Sequence, residues 1–298
     1  MSASSSLPPG PASRDWLAAV RRHPLAAFFI LAFALTWLVE IPMLASPRLA
    51  PLQLVLGWMP GVAALLVAGA VGGRAAVRGL LRRFLIWRVG VGWYVVALAG
   101  PVALFVAPEL LNPLFGGSGL HLPPLSAALL AGAALQLAVR LVLSSEQLAW
   151  SGFALPRMQA RWGALSASLV LGAVWAVWHL PLFFVPGSQR DLGFPSFLLA
   201  TVALRVVLTW VFNNTGGSVL LVSLMHQSAN VWTDLAGPYA DPADQALNRW
   251  LGAAVLLTVD AGLVLGFGPA WLSHKAPPDV PVVVDPPQRA GATGPAHA

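Results

Sequence analysis

The chain has 298 residues, 57% of them hydrophobic and only 9% charged, with a formal net charge of +6; a soluble domain carries roughly 25% charged residues. With a mean hydropathy of +0.74, that balance excludes an ordinary water-soluble domain and points to one helix bundle in a membrane. The absence of cysteine excludes disulfides, thiolate catalysis and Cys-ligated zinc.

In chain order, residues 1–24 are Ser/Pro-rich and read as a disordered cytoplasmic lead. The first apolar run, 25–45, is too long for the roughly 7–15-residue core of a cleaved signal peptide. A second run covers 52–72. Segment 76–89 sets Leu80, Leu81, Phe84 and Leu85 against Arg78, Arg82 and Arg83, which suits a helix on the inner membrane surface near anionic headgroups, or a plain connector. Further runs cover 91–108, 125–150, 164–184, 196–212, 217–233 and 250–272. The Pro/Ala/Gly-rich tail, 273–298, reads as disordered and cytoplasmic.

These runs approach the roughly 20 residues that span a bilayer. They lack the period-2 alternation of strands or of a membrane barrel. The expected fold is therefore all-α: a polytopic transmembrane bundle of about eight helices over 25–272. The basic residues agree with eight spans. With the N-terminus cytoplasmic, Arg14, Arg21 and Arg22, the arginines of 74–88, Arg157, Arg161, Lys275 and Arg289 all fall inside. Only Arg48, Arg190 and Arg249 fall outside, with Glu109, Asp191, Asp234, Asp241 and Asp244. The charge bias places both termini in the cytoplasm of a multi-pass cell-membrane protein.

Ionisable groups inside spans are costly and are candidates for function. Here they are Glu40, Arg140, Glu146, His179, Arg205, His226 and Asp260. Glu40 is read as reaching the interface, and Arg205 and Asp260 as an interhelical pair. Glu146, His179, His226 and Asn230 are more specific. His226 and Asn230 stand at i, i+4 and share one helix face. Trp175 and His179 have the same relation, so the indole can fix and shield the imidazole. One carboxylate, two imidazoles and an amide meeting in a bundle core can activate water. Glu146 would take a proton while His179 holds the water, with His226 and Asn230 donating to the oxyanion of an attacked carbonyl. Alternatively, Glu146, His179 and His226 form a His2Glu set for a divalent metal such as zinc. Taken singly, each of these residues would serve as interhelical hydrogen-bond glue.

The three stretches Ser144-Ser145-Glu146-Gln147-Leu148-Ala149-Trp150-Ser151-Gly152, Trp175-Ala176-Val177-Trp178-His179-Leu180-Pro181 and His226-Gln227-Ser228-Ala229-Asn230 resemble the CPBP family of intramembrane proteases, also called the ABI or CAAX-protease family. Its pattern is Glu-Glu-x-x-x-Arg, then Phe-x-x-x-His, then His-x-x-x-Asn, and the likeness covers a core at about 125–233. The resemblance implies a water-activating role for Glu146, with His179 as the second-motif histidine and Trp175 in place of its phenylalanine. It implies an oxyanion role for His226 and Asn230. Gln147 replaces the second glutamate and Ser151 the arginine. Both charges are lost together, leaving a neutral supporting pair at i, i+4 rather than one buried, unpaired charge.

The resemblance implies an intramembrane endopeptidase acting on a membrane-associated peptide or protein substrate, in contact with membrane lipid and with no nucleic-acid partner. Two other readings stand beside it. One is a catalytically impaired member acting as a binding, chaperone-like or immunity protein. The other is a small transporter, against which the chain shows no repeated halves.

Overall fold

The computed structural model describes residues 11–185 and 193–275. Its helices are α1 (Pro11–Arg22), α2 (Pro24–Ala45), α3 (Met59–Arg82), α4 (Val91–Leu111), α5 (Ala127–Leu143), α6 (Leu155–Trp178), α7 (Phe194–Asn214), α8 (Val219–Ala236) and α9 (Gln245–Phe267). The described residues contain no strand. Each of the eight apolar runs carries a helix. Six helical stretches are long and apolar enough to cross a membrane, and α5 is a shorter apolar one. α8 reaches 18 residues but is diluted by Ser223, His226, Gln227, Ser228, Asn230, Thr233 and Asp234, the helix that carries half the candidate site. The protein is a polytopic helical membrane bundle.

Helix ends follow local chemistry. Pro24 opens α2 at a position where its missing N–H is not needed. Ser126 and Ser218 cap α5 and α8 by accepting from the amides of Leu129 and Leu221. α3 is broken at Gly72 and Gly73, whose backbone angles are non-helical. The basic, amphipathic stretch beyond them is thereby set off as a separate helix that exposes Arg74, Arg78 and Arg82 while burying Leu80. The lead differs from expectation: residues 11–22 are helical. Residues 1–10 and 276–298 of the expected disordered ends lie outside the described residues.

Two departures from the expected spans shape the interior. The run 125–150 is not one helix. α5 ends at Ser144, in extended backbone, and the chain re-enters helix as a π turn, Leu148–Ala154, with all seven residues buried. The second break lies at Gly163, with φ 75° and ψ 173°, a region open only to glycine. It ends the descent of the 148–162 segment and restarts the helix, whose first amides, Ala164 and Leu165, donate to the carbonyls of Ala270 and Pro269 at 2.7 and 3.0 Å.

The packed interior centres on Trp150, whose indole meets Phe28 and Trp178 at centroid distances of 5.5 and 5.8 Å. α6 packs on α7, α4 on α8, α2 on α3, and α9 on α7 and α4. Polar ties hold these helices together, as is usual where lipid is as apolar as the side chains. Trp178 donates to Thr36 Oγ1, Ser168 to Thr209 Oγ1, and Gln159 pairs with Asn213 through both amides. Arg140 forms an ion pair with Asp234 between α5 and α8. At one end, Asp244 accepts from the amide and hydroxyl of Ser118 at 2.7 and 2.6 Å and from Asn112 at 3.2 Å. This clamps the loop after α4 to the start of α9.

Replacing Gly163 with alanine puts a Cβ 3.2 Å from the Ala270 carbonyl oxygen and forces an L-residue into that backbone region. The expected loss is about 1–3 kcal/mol, read as a lower midpoint of thermal unfolding in detergent. Gly79→Ala, which meets nothing within 4 Å, should leave the midpoint unchanged. Asp244 makes a second prediction. The Ser118 hydroxyl and amide bonds, with the charge of His121, hold its carboxyl below the ordinary 3.8. A depressed folded-state pKa contributes stability above the unfolded value and loses it as pH falls through the folded one. Unfolding midpoints compared at pH 7 and pH 3 should therefore fall more for the wild type than for Ser118→Ala.

Candidate functional site

Glu146 is placed by the break after α5. The amide of Ser145 donates to the Gly57 carbonyl at 2.8 Å, and its hydroxyl lies against the carbonyls of Gly57 and Trp58. A Cβ at Gly61 would come within 1.9 Å of that hydroxyl oxygen, so the chain seats here only against a glycine. This anchorage turns Glu146 inward. Its Oε2 accepts from Trp175 Nε1 at 3.1 Å, and its Oε1 lies 3.4 Å from the Ser144 hydroxyl.

His179 ends α6. Its Nδ1 lies 2.9 Å from the Trp175 carbonyl oxygen, a contact that assigns the ring proton to Nδ1 and leaves Nε2 free to accept. The ring is boxed by Trp178 at 4.6 Å and Phe197 at 5.3 Å. His226, from α8, is buried against the Trp175 indole at 5.0 Å. Its Nε2 faces Asn230 Nδ2 at 3.4 Å and its Nδ1 faces Gln227 Nε2 at 3.3 Å. Asn230 also donates to Gln227 Oε1 at 3.1 Å. One indole thus touches the acid and both imidazoles, with Trp175 5.8 Å from His179. Glu146, His179 and Asn230 are half-buried, whereas Gln147, Trp175 and His226 are buried.

Gln147 and Ser151 form the expected i, i+4 contact, with Ser151 Oγ donating to Gln147 Oε1 at 2.7 Å. The same oxygen accepts from Arg205 Nη1 at 3.0 Å. Arg205 therefore does not pair with Asp260. It turns toward α6 and Gln147, while Asp260 Oδ1 is buried with no partner among the described residues. Glu40 does not reach the interface. It is fully buried, its two oxygens have no partner among the described residues, and its charge is close enough to that of Glu146 to act on it. The signal was present in the four-residue spacing of Phe28, Ala32, Thr36 and Glu40, all buried on α2.

Among the described residues, no group of three or more His, Asp or Glu side chains is placed to hold a metal ion. Amide groups face both nitrogens of His226 and would have to turn before it could ligate a metal, whereas His179, held at Nδ1 by a carbonyl, presents a free Nε2. Beside the site, a cavity of about 670 Å³ opens between α4, α7, α8 and α9, lined by Phe105, Glu109, Phe197, Thr233, Arg249 and Leu256 among others. Phe197 is both its wall and the edge partner of His179, and Thr233 lies one turn beyond Asn230.

Residues 125–232 match the family model described as Type II CAAX prenyl endopeptidase Rce1-like. A protein of Methanococcus maripaludis named CAAX prenyl protease 2 is 26% identical over 132 residues, which cover 42% of this chain and 46% of that relative. The matched stretch spans about half the length of the relative.

Trp175→Phe keeps the aromatic contact with His226 but removes the N–H on Glu146. A hydrogen bond to a charged group is worth about 1.5–3 kcal/mol. The expected outcome is a folded protein whose turnover falls by roughly 10–100-fold, measured on purified variants in detergent against the unfolding midpoint.

Proposed function

We propose that this chain, which belongs to the CPBP family through its Rce1-like segment 125–232, is an intramembrane endopeptidase that hydrolyses a peptide bond with a water activated by Glu146. The observation that supports this reading is the shared indole of Trp175, which donates to the carboxylate of Glu146 and is in ring contact with both His179 and His226.

The chemistry follows from the groups present. A water between Glu146 and Nε2 of His179 loses a proton to the carboxylate as its oxygen attacks the peptide carbonyl carbon. The carbonyl oxygen becomes an oxyanion, which His226 and Asn230 stabilise by donating hydrogen bonds once substrate draws the Asn230 amide away from His226 Nε2 and that nitrogen carries the ring proton. The proton held by Glu146 then passes to the leaving nitrogen as the C–N bond breaks, giving a carboxylic acid and an amine. No step needs an oxidant or a reductant. The cavity walled by Phe197 and Thr233 supplies the approach for a membrane-associated peptide. The bias of Lys and Arg toward one set of loops favours a cytoplasmic position for both termini. The paired loss of charge at Gln147 and Ser151 favours the impaired-member reading, but Gln147 keeps a guanidinium partner in Arg205.

With a membrane-anchored peptide reporter, Glu146→Gln, His179→Ala and His226→Ala should each lower cleavage by roughly 100-fold or more while leaving the unfolding midpoint within a few degrees. Cleavage by Glu146→Gln at the wild-type rate would reject the proposal. Chelator treatment should leave the rate unchanged; inhibition reversed by added zinc would instead favour the metal-ligand arrangement.

A further inference from the structure

We infer that Arg205 is the positioning residue of the Glu146 segment: from α7 it holds Gln147 in place and so sets the carboxylate of Glu146 against Trp175. This inference rests on the endopeptidase reading. In the family pattern the arginine stands four residues after the glutamate pair, on the same helical turn. Here that position is Ser151, and the guanidinium on Gln147 arrives from another helix, 58 residues beyond Gln147 in the chain.

Several observations converge on it. Arg205 is completely buried, and its Nη1 and the Ser151 hydroxyl share a single acceptor, Gln147 Oε1. Gln147 sits at the head of the buried π turn, one residue after Glu146, in the first turn of the helical stretch that restarts after the break at Ser144 and Ser145, so the backbone there has helix on one side only. Among the described residues the Glu146 carboxylate accepts from the Trp175 indole and makes a long contact to Ser144, so its aim depends on the backbone beside it. The fold makes room for the guanidinium: a Cβ at Gly172 would lie 2.7 Å from Val202 Cα and 3.1 Å from Arg205 Cβ. α6 and α7 therefore close together at the level of Arg205.

A cation kept in this interior without a carboxylate partner is costly. Nε and Nη2 of Arg205 have no partner among the described residues. Simple filling of the space between helices would be served better by an apolar residue. The contact to Gln147 is what an apolar residue cannot make.

The test uses the full-length protein reconstituted with the peptide reporter. Arg205→Gln should lower kcat by roughly 10–100-fold with KM within about twofold, and Arg205→Lys should recover part of the loss. Gln147→Glu should raise the unfolding midpoint, because a carboxylate replaces an amide against the guanidinium. The triple variant Gln147→Glu, Ser151→Arg, Arg205→Gln returns the arginine to its familial position and should recover kcat. Full activity in Arg205→Gln, or a folded triple variant that stays as impaired as Arg205→Gln, would overturn the inference. Should Arg205→Gln not fold, Arg205→Met decides: folded protein with wild-type kcat overturns it. If the wild type does not cleave the reporter, the endopeptidase reading fails. Positioning is then judged by amide exchange over residues 145–154, which must quicken in Arg205→Lys or the inference falls with it.

Discussion

Hydrocarbon offers no hydrogen-bond partner, so a polar group buried in this bundle must be met by another group of the protein. The indole N–H of Trp175 meets the carboxylate of Glu146, and its carbonyl meets His179. The same residue is the aromatic surface against His226. The three potentially reactive groups come from the break after α5, the end of α6 and the middle of α8. They converge on one residue, through its indole N–H for Glu146, its backbone carbonyl for His179 and its ring for His226. Glu146 and His179 are left half-buried rather than sealed.

The site also depends on irregular backbone. α5 buries none of its residues completely, so a straight continuation of it would carry Glu146 along the periphery. The extended Ser144, the seat of Ser145 against Gly57 and the π turn that follows redirect the chain into the core. The break at Gly163 then allows 164–178 to rise as a separate helix delivering Trp175 and His179. π turns and interrupted helices are frequent at functional sites in membrane proteins, because they expose side chains a regular helix would hide.

Gln147 and Ser151 show how a motif can change while its physical requirement persists. A glutamate–arginine pair within one turn needs no help from elsewhere. Its neutral replacement accepts a guanidinium from α7, so the demand for a donor at residue 147 is met across helices. Glu40 is the counterpart on the other side. A buried carboxyl without partners, near Glu146, shows that the polar interior extends beyond the segment 125–232 that matches the family.

Residue chemistry alone determined that the chain is a membrane bundle and where its helices run, because apolar length and proline, glycine and serine boundaries act locally. It also singled out Glu146, His179, His226 and Asn230 as candidates, since they stand in recognisable local spacings. Tertiary structure alone decided the partners. Arg205 was expected against Asp260 and lies against Gln147; Glu40 was expected at the interface and lies in the core; the 125–150 run was expected as one span and is broken at Ser144. Each of these turns on contacts between segments far apart in sequence, whose distance and rotation are set by packing at places such as Gly172 and Gly61, and no local periodicity encodes the rotation of one helix against another.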